Sequence, residues 1–154
     1  MTEFRVLGVG NVLWADEGIG PALLSAIEAE ITDPRIDFVD GGTQGLYLLP
    51  MVTDSRHLLI LDAVDLGYEP GSICCLHDDQ ILAAFAGRSL SLHQTSVHDL
   101  LAAAYLLDWQ PDSVTLIGIQ IQNADQWGGD LTDTARHALP QAVARAVELI
   151  RQWQ

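Results

Sequence analysis

The chain has 154 residues, with seven Arg, no Lys and 21 acidic residues, for a formal net charge of −14 with His neutral. That balance excludes generic nucleic-acid binding, which needs clustered cations to displace counterions from phosphates, and it offers no electrostatic attraction to an anionic membrane. At 49% hydrophobic and 18% charged the sequence has material for a real core, which excludes whole-chain disorder, and its length favours one domain over residues 1–154. No run approaches the roughly 18 apolar residues of a membrane span, and no basic leader precedes the first apolar run. Cys74 and Cys75 are adjacent, which suits neither an ordinary disulfide nor a metal spacing, so they read as small buried hydrophobes in a strand. The expectation is a soluble, cytoplasmic protein without membrane insertion.

Short apolar runs bounded by turn residues predict strands buried on both faces. The first spans Arg5–Val9 and is closed by Gly10-Asn11. Apolar residues at helical spacing (Ile19, Leu23, Leu24, Ile27, Ile31) predict a helix over Ile19–Ile31. A second strand, Ile36–Val39, closes at Asp40-Gly41-Gly42, and Gln44–Met51 is a short helix candidate. The third strand, His57–Leu61, closes at Asp62. After the Pro70-Gly71 turn, Ser72–Leu76 suits an antiparallel edge strand. Gln80–Ala86 reads as a short helix. Ser96–Leu107 reads as a longer one, with Ser96 and Asp99 spaced as a capping box. The fifth strand is Val114–Gln120. The last helix covers Leu131–Trp153, and Pro140 is expected to break or kink it near Leu139. This alternation predicts an α/β fold, a single domain with a mainly parallel sheet and helices on both faces.

Ligands of open parallel sheets bind outside the carboxyl ends of the strands, and the acidic residues gather there. Asp16 and Glu17 follow the first strand, Asp40 ends the second, and Asp62 and Asp65 follow the third. Clustered carboxylates raise one another's proton affinity unless a cation sits among them. With no Lys in the chain, a metal ion is the economical cation, and His93 supplies an imidazole. Glu17, Asp62 and His93 suit zinc, nickel, manganese or iron, and composition does not choose among these.

Plainer readings compete at each position. Asp16 reads better as a cap for the Ile19 helix, Asp62 equally well as a strand terminator, and His93 as a solvated loop residue. His57 and His77 read as structural, His98 as part of a first helical turn, and His137 as exposed on the last helix. Trp14 suits either the core or the lip of a site, and Trp109, Trp127 and Trp153 suit packing. Gly8-Val9-Gly10-Asn11 begins like a dinucleotide fingerprint. Leu13 stands in the third glycine's place, however, and Asp16 and Glu17 would repel a pyrophosphate, which argues against nucleotide binding.

Four blocks carry a family resemblance: LGVGNVLWADEGIG (Leu7–Gly20), DGGTQG (Asp40–Gly45), HLLILDAVD (His57–Asp65) and SLHQTS (Ser91–Ser96). In this order and spacing, over essentially the whole chain, the sequence resembles the [NiFe]-hydrogenase maturation proteases. WADEGIG, DGGTQG and LHQTS look most like the branch serving membrane-bound uptake hydrogenases. The resemblance implies an aspartic-type endopeptidase that removes the C-terminal extension of the nickel-loaded large-subunit precursor late in hydrogenase maturation. It also implies a twisted five-stranded sheet between helices, in agreement with the strand count above. Metal contacts are implied for Glu17, Asp62 and His93, the three positions already reached by charge, with nickel brought by the precursor. Glu17, Asp62 and Asp40 are the expected catalytic carboxylates, Asp40 being read, from its place at the neighbouring strand end beside Gly41-Gly42, as the residue that positions substrate or assists proton transfer. Two other classes would use the same residues: a nickel-binding or nickel-sensing module without hydrolysis, and a conventional zinc hydrolase acting on simple peptides.

Overall fold

Five strands, β1 (Thr2–Val9), β2 (Ile36–Gly42), β3 (Ser55–Val64), β4 (Ile73–His77) and β5 (Ser113–Gln120), form one sheet in the order β2-β1-β3-β5-β4. Four run parallel, and β4 pairs antiparallel to β5 at one edge. The structure is a computed structural model describing residues 1–11, 15–86, 95–122 and 130–153, with the backbone alone at residues 15, 95 and 96. The helices are α1 (Ile19–Glu30), α2 (Leu49–Thr53), α3 (Asp79–Phe85), α4 (Thr95–Leu106) and α5 (Asp133–Trp153), with single 3₁₀ turns at Ala15–Gly18 and Gly45–Leu48. The result is the expected single α/β domain.

The strands run further than the apolar runs. Asp62 lies inside β3, because Asp62, Ala63 and Val64 continue the ladder onto Gly118, Ile119 and Gln120. Asp40 likewise lies inside β2, paired with Gly8. A charged side chain interrupts hydrophobic patterning without interrupting backbone pairing. At α5 the expected break is absent: the helix runs unbroken through Pro140. Its buried face is carried by Ala135, Ala138, Ala142, Val143, Ala146, Val147 and Ile150, whereas Pro140 and Arg136 are exposed. Pro140 thus sits on the helix face away from the packed residues. α4 starts at Thr95, which puts Ser96 inside its first turn, and the Ser96 cap contact lies outside the described side chains.

Alternate residues of the sheet feed two cores. Val6, Leu59, Leu61, Ile117 and Ile119 face α1 and α5, while Leu7, Leu58, Ile60 and Leu116 face the α2, α3 and α4 side. Trp153 stacks on Phe4 at 5.2 Å, and the Trp109 indole N–H donates to the Ser55 carbonyl at 3.0 Å, so both tryptophans serve packing. Trp14 and Trp127 lie outside the described residues. Both cysteines are free thiols; Cys74 is buried and Cys75 half-buried. Among the described residues no helix is long and apolar enough to cross a membrane.

Gly10 of the fingerprint-like run and Gly20 of α1 serve helix–sheet contact. A Cβ on Gly20 would lie 2.0 Å from the Val9 carbonyl oxygen and 2.7 Å from that of Leu61, and one on Gly10 would lie 2.0 Å from the Glu17 carbonyl oxygen. α1 thus starts directly on the backbones of β1 and β3. Gly20→Ala would force it off the sheet and is expected to destabilise by about 2–4 kcal/mol, lowering Tm on the order of 10 °C. Gly42→Ala, where φ is +52° but a Cβ meets nothing, should cost only about 1 kcal/mol. Thermal unfolding of the two variants checks this, and equal losses would contradict it.

Candidate functional site

In a sheet ordered β2-β1-β3, the chain leaves β1 toward β2 on one side and β3 on the other, which opens a crevice at the carboxyl ends of β1 and β3. The Ala15–Gly18 turn brings Asp16 and Glu17 back to this point, and β3 contributes Asp62. All three residues are buried, with relative exposures of 1%, 6% and 8%. Three buried acids in a chain without Lys demand partners.

Asp16 has them. Its Oδ1 accepts the Thr132 N–H at 2.8 Å, and its Oδ2 accepts the Thr132 hydroxyl at 2.9 Å and the Gln122 N–H at 3.3 Å. The Thr132 oxygen in turn accepts the Ala135 N–H at 3.3 Å, capping α5. Asp16 is therefore no cap of the Ile19 helix, whose N-cap Gly18 has no side-chain cap bond. It ties the 3₁₀ turn to the start of α5.

Glu17 and Asp62 are differently placed. Burial pushes the Glu17 carboxyl up to about 7. Burial also raises Asp62 well above the usual carboxylate range; the nearby Glu17 charge adds to this, and the Ala63 N–H, donating to Oδ1 at 2.8 Å, partly offsets it. Two buried carboxyls that interact electrostatically resist ionising together, and a cation brought between them would reverse that preference. Their hard oxygen donors suit a divalent first-row ion. His93, the third expected ligand, lies outside the described residues, and among those described no group of three His, Cys, Asp or Glu side chains forms a metal cluster.

Asp40 is exposed, and its Oδ1 accepts the Gly42 N–H at 3.0 Å, which shapes the turn at the end of β2. Gly8 pairs with Asp40 on one side and Leu61 on the other. Asp40 therefore stands two strands from Asp62, roughly 10 Å between backbones, on the rim of the crevice. Asp65, also at this edge, accepts the Gln120 amide N–H at 3.1 Å. His57 contacts the Ser113 hydroxyl and His77 the Thr115 hydroxyl, away from the pair. His98 lies on α4 and His137 is exposed on α5, as expected.

Two contributors had no counterpart among the expected residues. Gln120 is buried, and its Oε1 accepts the Leu66 and Tyr68 N–H groups, so it shapes the segment that leaves β3 after Asp62. A polar residue closing an otherwise apolar strand was its only sequence signal. Gly118 pairs with both Asp62 and Cys74, and a Cβ there would lie 3.2 Å from the Cys74 sulfur. The missing side chain lets that thiol, itself pushed up to about 11 by burial, pack beside Asp62.

A carboxyl whose proton affinity is higher folded than unfolded costs stability as pH rises between the two values. For Glu17 that window runs from the ordinary 4.5 to about 7. Metal-free protein should therefore lose stability from pH 5 to pH 8. Glu17→Gln should remove that part of the loss and stabilise by about 1–3 kcal/mol at pH 8, whereas Glu28→Gln on exposed α1 surface should not. Thermal melts across the pH range check this, and identical pH profiles for the three proteins would contradict it.

Residues 21–149 match the family model HycI, described as hydrogenase maturation protease. The chain is 41% identical to the hydrogenase expression/formation protein HupD of Rhizobium leguminosarum over 96% of its own length and 74% of that protein. It is 33% identical to the hydrogenase 2 maturation protease of Escherichia coli, over 96% of this chain and 90% of that one. Its fold is similar to that of the E. coli hydrogenase maturating endopeptidase HybD, with a TM-score of 0.86, 32% identity, and coverage of 99% and 93% of the two chains. With two buried carboxyls of raised proton affinity at the switch point of its sheet, these likenesses make the chain a member of the hydrogenase maturation protease family and an endopeptidase.

Proposed function

We propose that this endopeptidase removes the C-terminal extension of a [NiFe]-hydrogenase large-subunit precursor after nickel insertion, and that Glu17, Asp62 and His93 read the precursor's nickel. The observation that carries this reading is the pair of buried carboxyls, Glu17 and Asp62, held with raised proton affinity at the switch point. Without a cation the pair favours retained protons. With a divalent ion presented by the substrate, both groups gain a reason to ionise, so binding is coupled to whether metal insertion is complete.

In this reading the nickel belongs to the substrate, and the protein supplies donors on rigid supports. Asp62 is fixed by the β3–β5 ladder and its Ala63 hydrogen bond, and Glu17 by the contact of α1 with β1. Asp40, exposed on the rim with its turn already ordered by the Gly42 N–H, is placed to orient the extension or to accept a proton from the attacking water. The uptake-hydrogenase branch is the substrate class we assign, on the WADEGIG, DGGTQG and LHQTS blocks. Two free thiols suit a reducing cytoplasm as its compartment.

Intact mass of a cognate large-subunit precursor after incubation with the protein tests the reading. Loss of a defined C-terminal segment from nickel-loaded precursor, and none from nickel-free precursor, is expected. Cleavage of both forms would remove the nickel-reading role and leave the protease. Unchanged mass in both would favour a nickel-binding module without hydrolysis.

A further inference from the structure

From Gly41 to Thr53 the chain carries no charged residue (GGTQGLYLLPMVT), although the protein as a whole is strongly acidic. The segment is not interior. Leu46 is 57%, Tyr47 88% and Met51 41% exposed, while Leu48 and Val52, on the opposite side of the same two short helices, are fully buried. An element apolar on both faces is built like one that is covered on both faces.

The segment is also held rigidly. Leu48 lies 2.8 Å from where a Gly41 Cβ would be, and the Gln44 N–H donates to the Gly41 carbonyl at 3.2 Å. The Tyr47 N–H donates to the Gln44 carbonyl at 3.2 Å, so a chain of turns links Tyr47 to the Asp40 rim. At its far end the Met51 carbonyl accepts from the buried Arg5 guanidinium and from the Ser55 hydroxyl. Exposed apolar side chains on a fixed support lose little entropy on being covered.

We infer that Leu46 and Tyr47 form a docking surface for the folded body of the large-subunit precursor, beside the point where its extension enters the site. This rests on the function proposed above. The position favours that occupant: the Gly45–Leu48 turn follows directly from the carboxyl end of β2, on the sheet edge that holds Glu17 and Asp62. Charge disfavours a second copy of this chain, since two bodies of net charge −14 repel. Tyrosine on a rigid turn is a strong anchor type, and its loss acts on binding more than on chemistry.

Steady-state kinetics with nickel-loaded precursor test the surface in the full chain. The double variant Leu46→Ser/Tyr47→Ser should raise KM about tenfold or more with kcat within about twofold. Leu106→Ser/Leu107→Ser, which removes exposed apolar residues at the C-terminal end of α4, should change neither. An unchanged KM for the first variant overturns the inference. So does a shift in sedimentation velocity from dimer to monomer on that substitution, which would assign the surface to a second copy. If the unmutated protein cleaves no precursor, the proposed function fails separately. The surface is then read by fluorescence anisotropy of labelled precursor, where equal affinity for unmutated and double-variant protein overturns it.

Discussion

The site depends on how closely the first helix can approach the sheet. Gly20 lies against the carbonyls of Val9 and Leu61, and Gly10 against that of Glu17, at separations that leave no room for a β-carbon. Because α1 begins there, the turn before it is pressed into the crevice between β1 and β3. Two acidic side chains are thereby carried into the protein interior at the point where the chain reverses its winding direction. A bulkier residue at any of these glycines would lift the helix and take the carboxyls out of the crevice with it.

Once buried, the acids take different parts. Asp16 spends both oxygens on Thr132 and Gln122, joining segments more than a hundred residues apart and capping the last helix in the process. Burial instead raises the proton affinity of Glu17 and Asp62, and for Asp62 the neighbouring Glu17 charge adds to it. Retaining such groups works against stability at neutral pH, the usual signature of residues kept for chemistry rather than for folding. Around them the support is stiff: a parallel ladder beneath Asp62, Gln120 shaping the exit from β3, and an uncharged, anchored rim from Gly41 to Thr53.

Most of the architecture was legible because each strand contains a short apolar run with turn residues beyond it, and because Ile19–Ile31 repeats at helical spacing. The two misjudged strand ends share one cause. Asp62 and Asp40 look like terminators in a hydrophobicity pattern, yet their backbones go on pairing; Pro140, on the exposed face of α5, leaves the helix continuous. Glu17 and Asp62 were legible as a pair from charge and position at the strand ends. The role of Asp16 was not, since its partner Thr132 is remote in sequence and leaves no local signal. Gln120 and Gly118 were equally silent, because their parts depend on the register between β3, β5 and β4.

The central proposal is that cleavage depends on the buried pair, Glu17 and Asp62, reading the precursor's nickel. Single-turnover cleavage of nickel-loaded precursor at neutral pH, with unmutated protein, Glu17→Gln and Asp62→Asn, tests it most directly. Each isosteric substitution should leave a folded protein and lower the cleavage rate by roughly a thousandfold or more. Rates within tenfold of the unmutated protein for either variant would contradict the account.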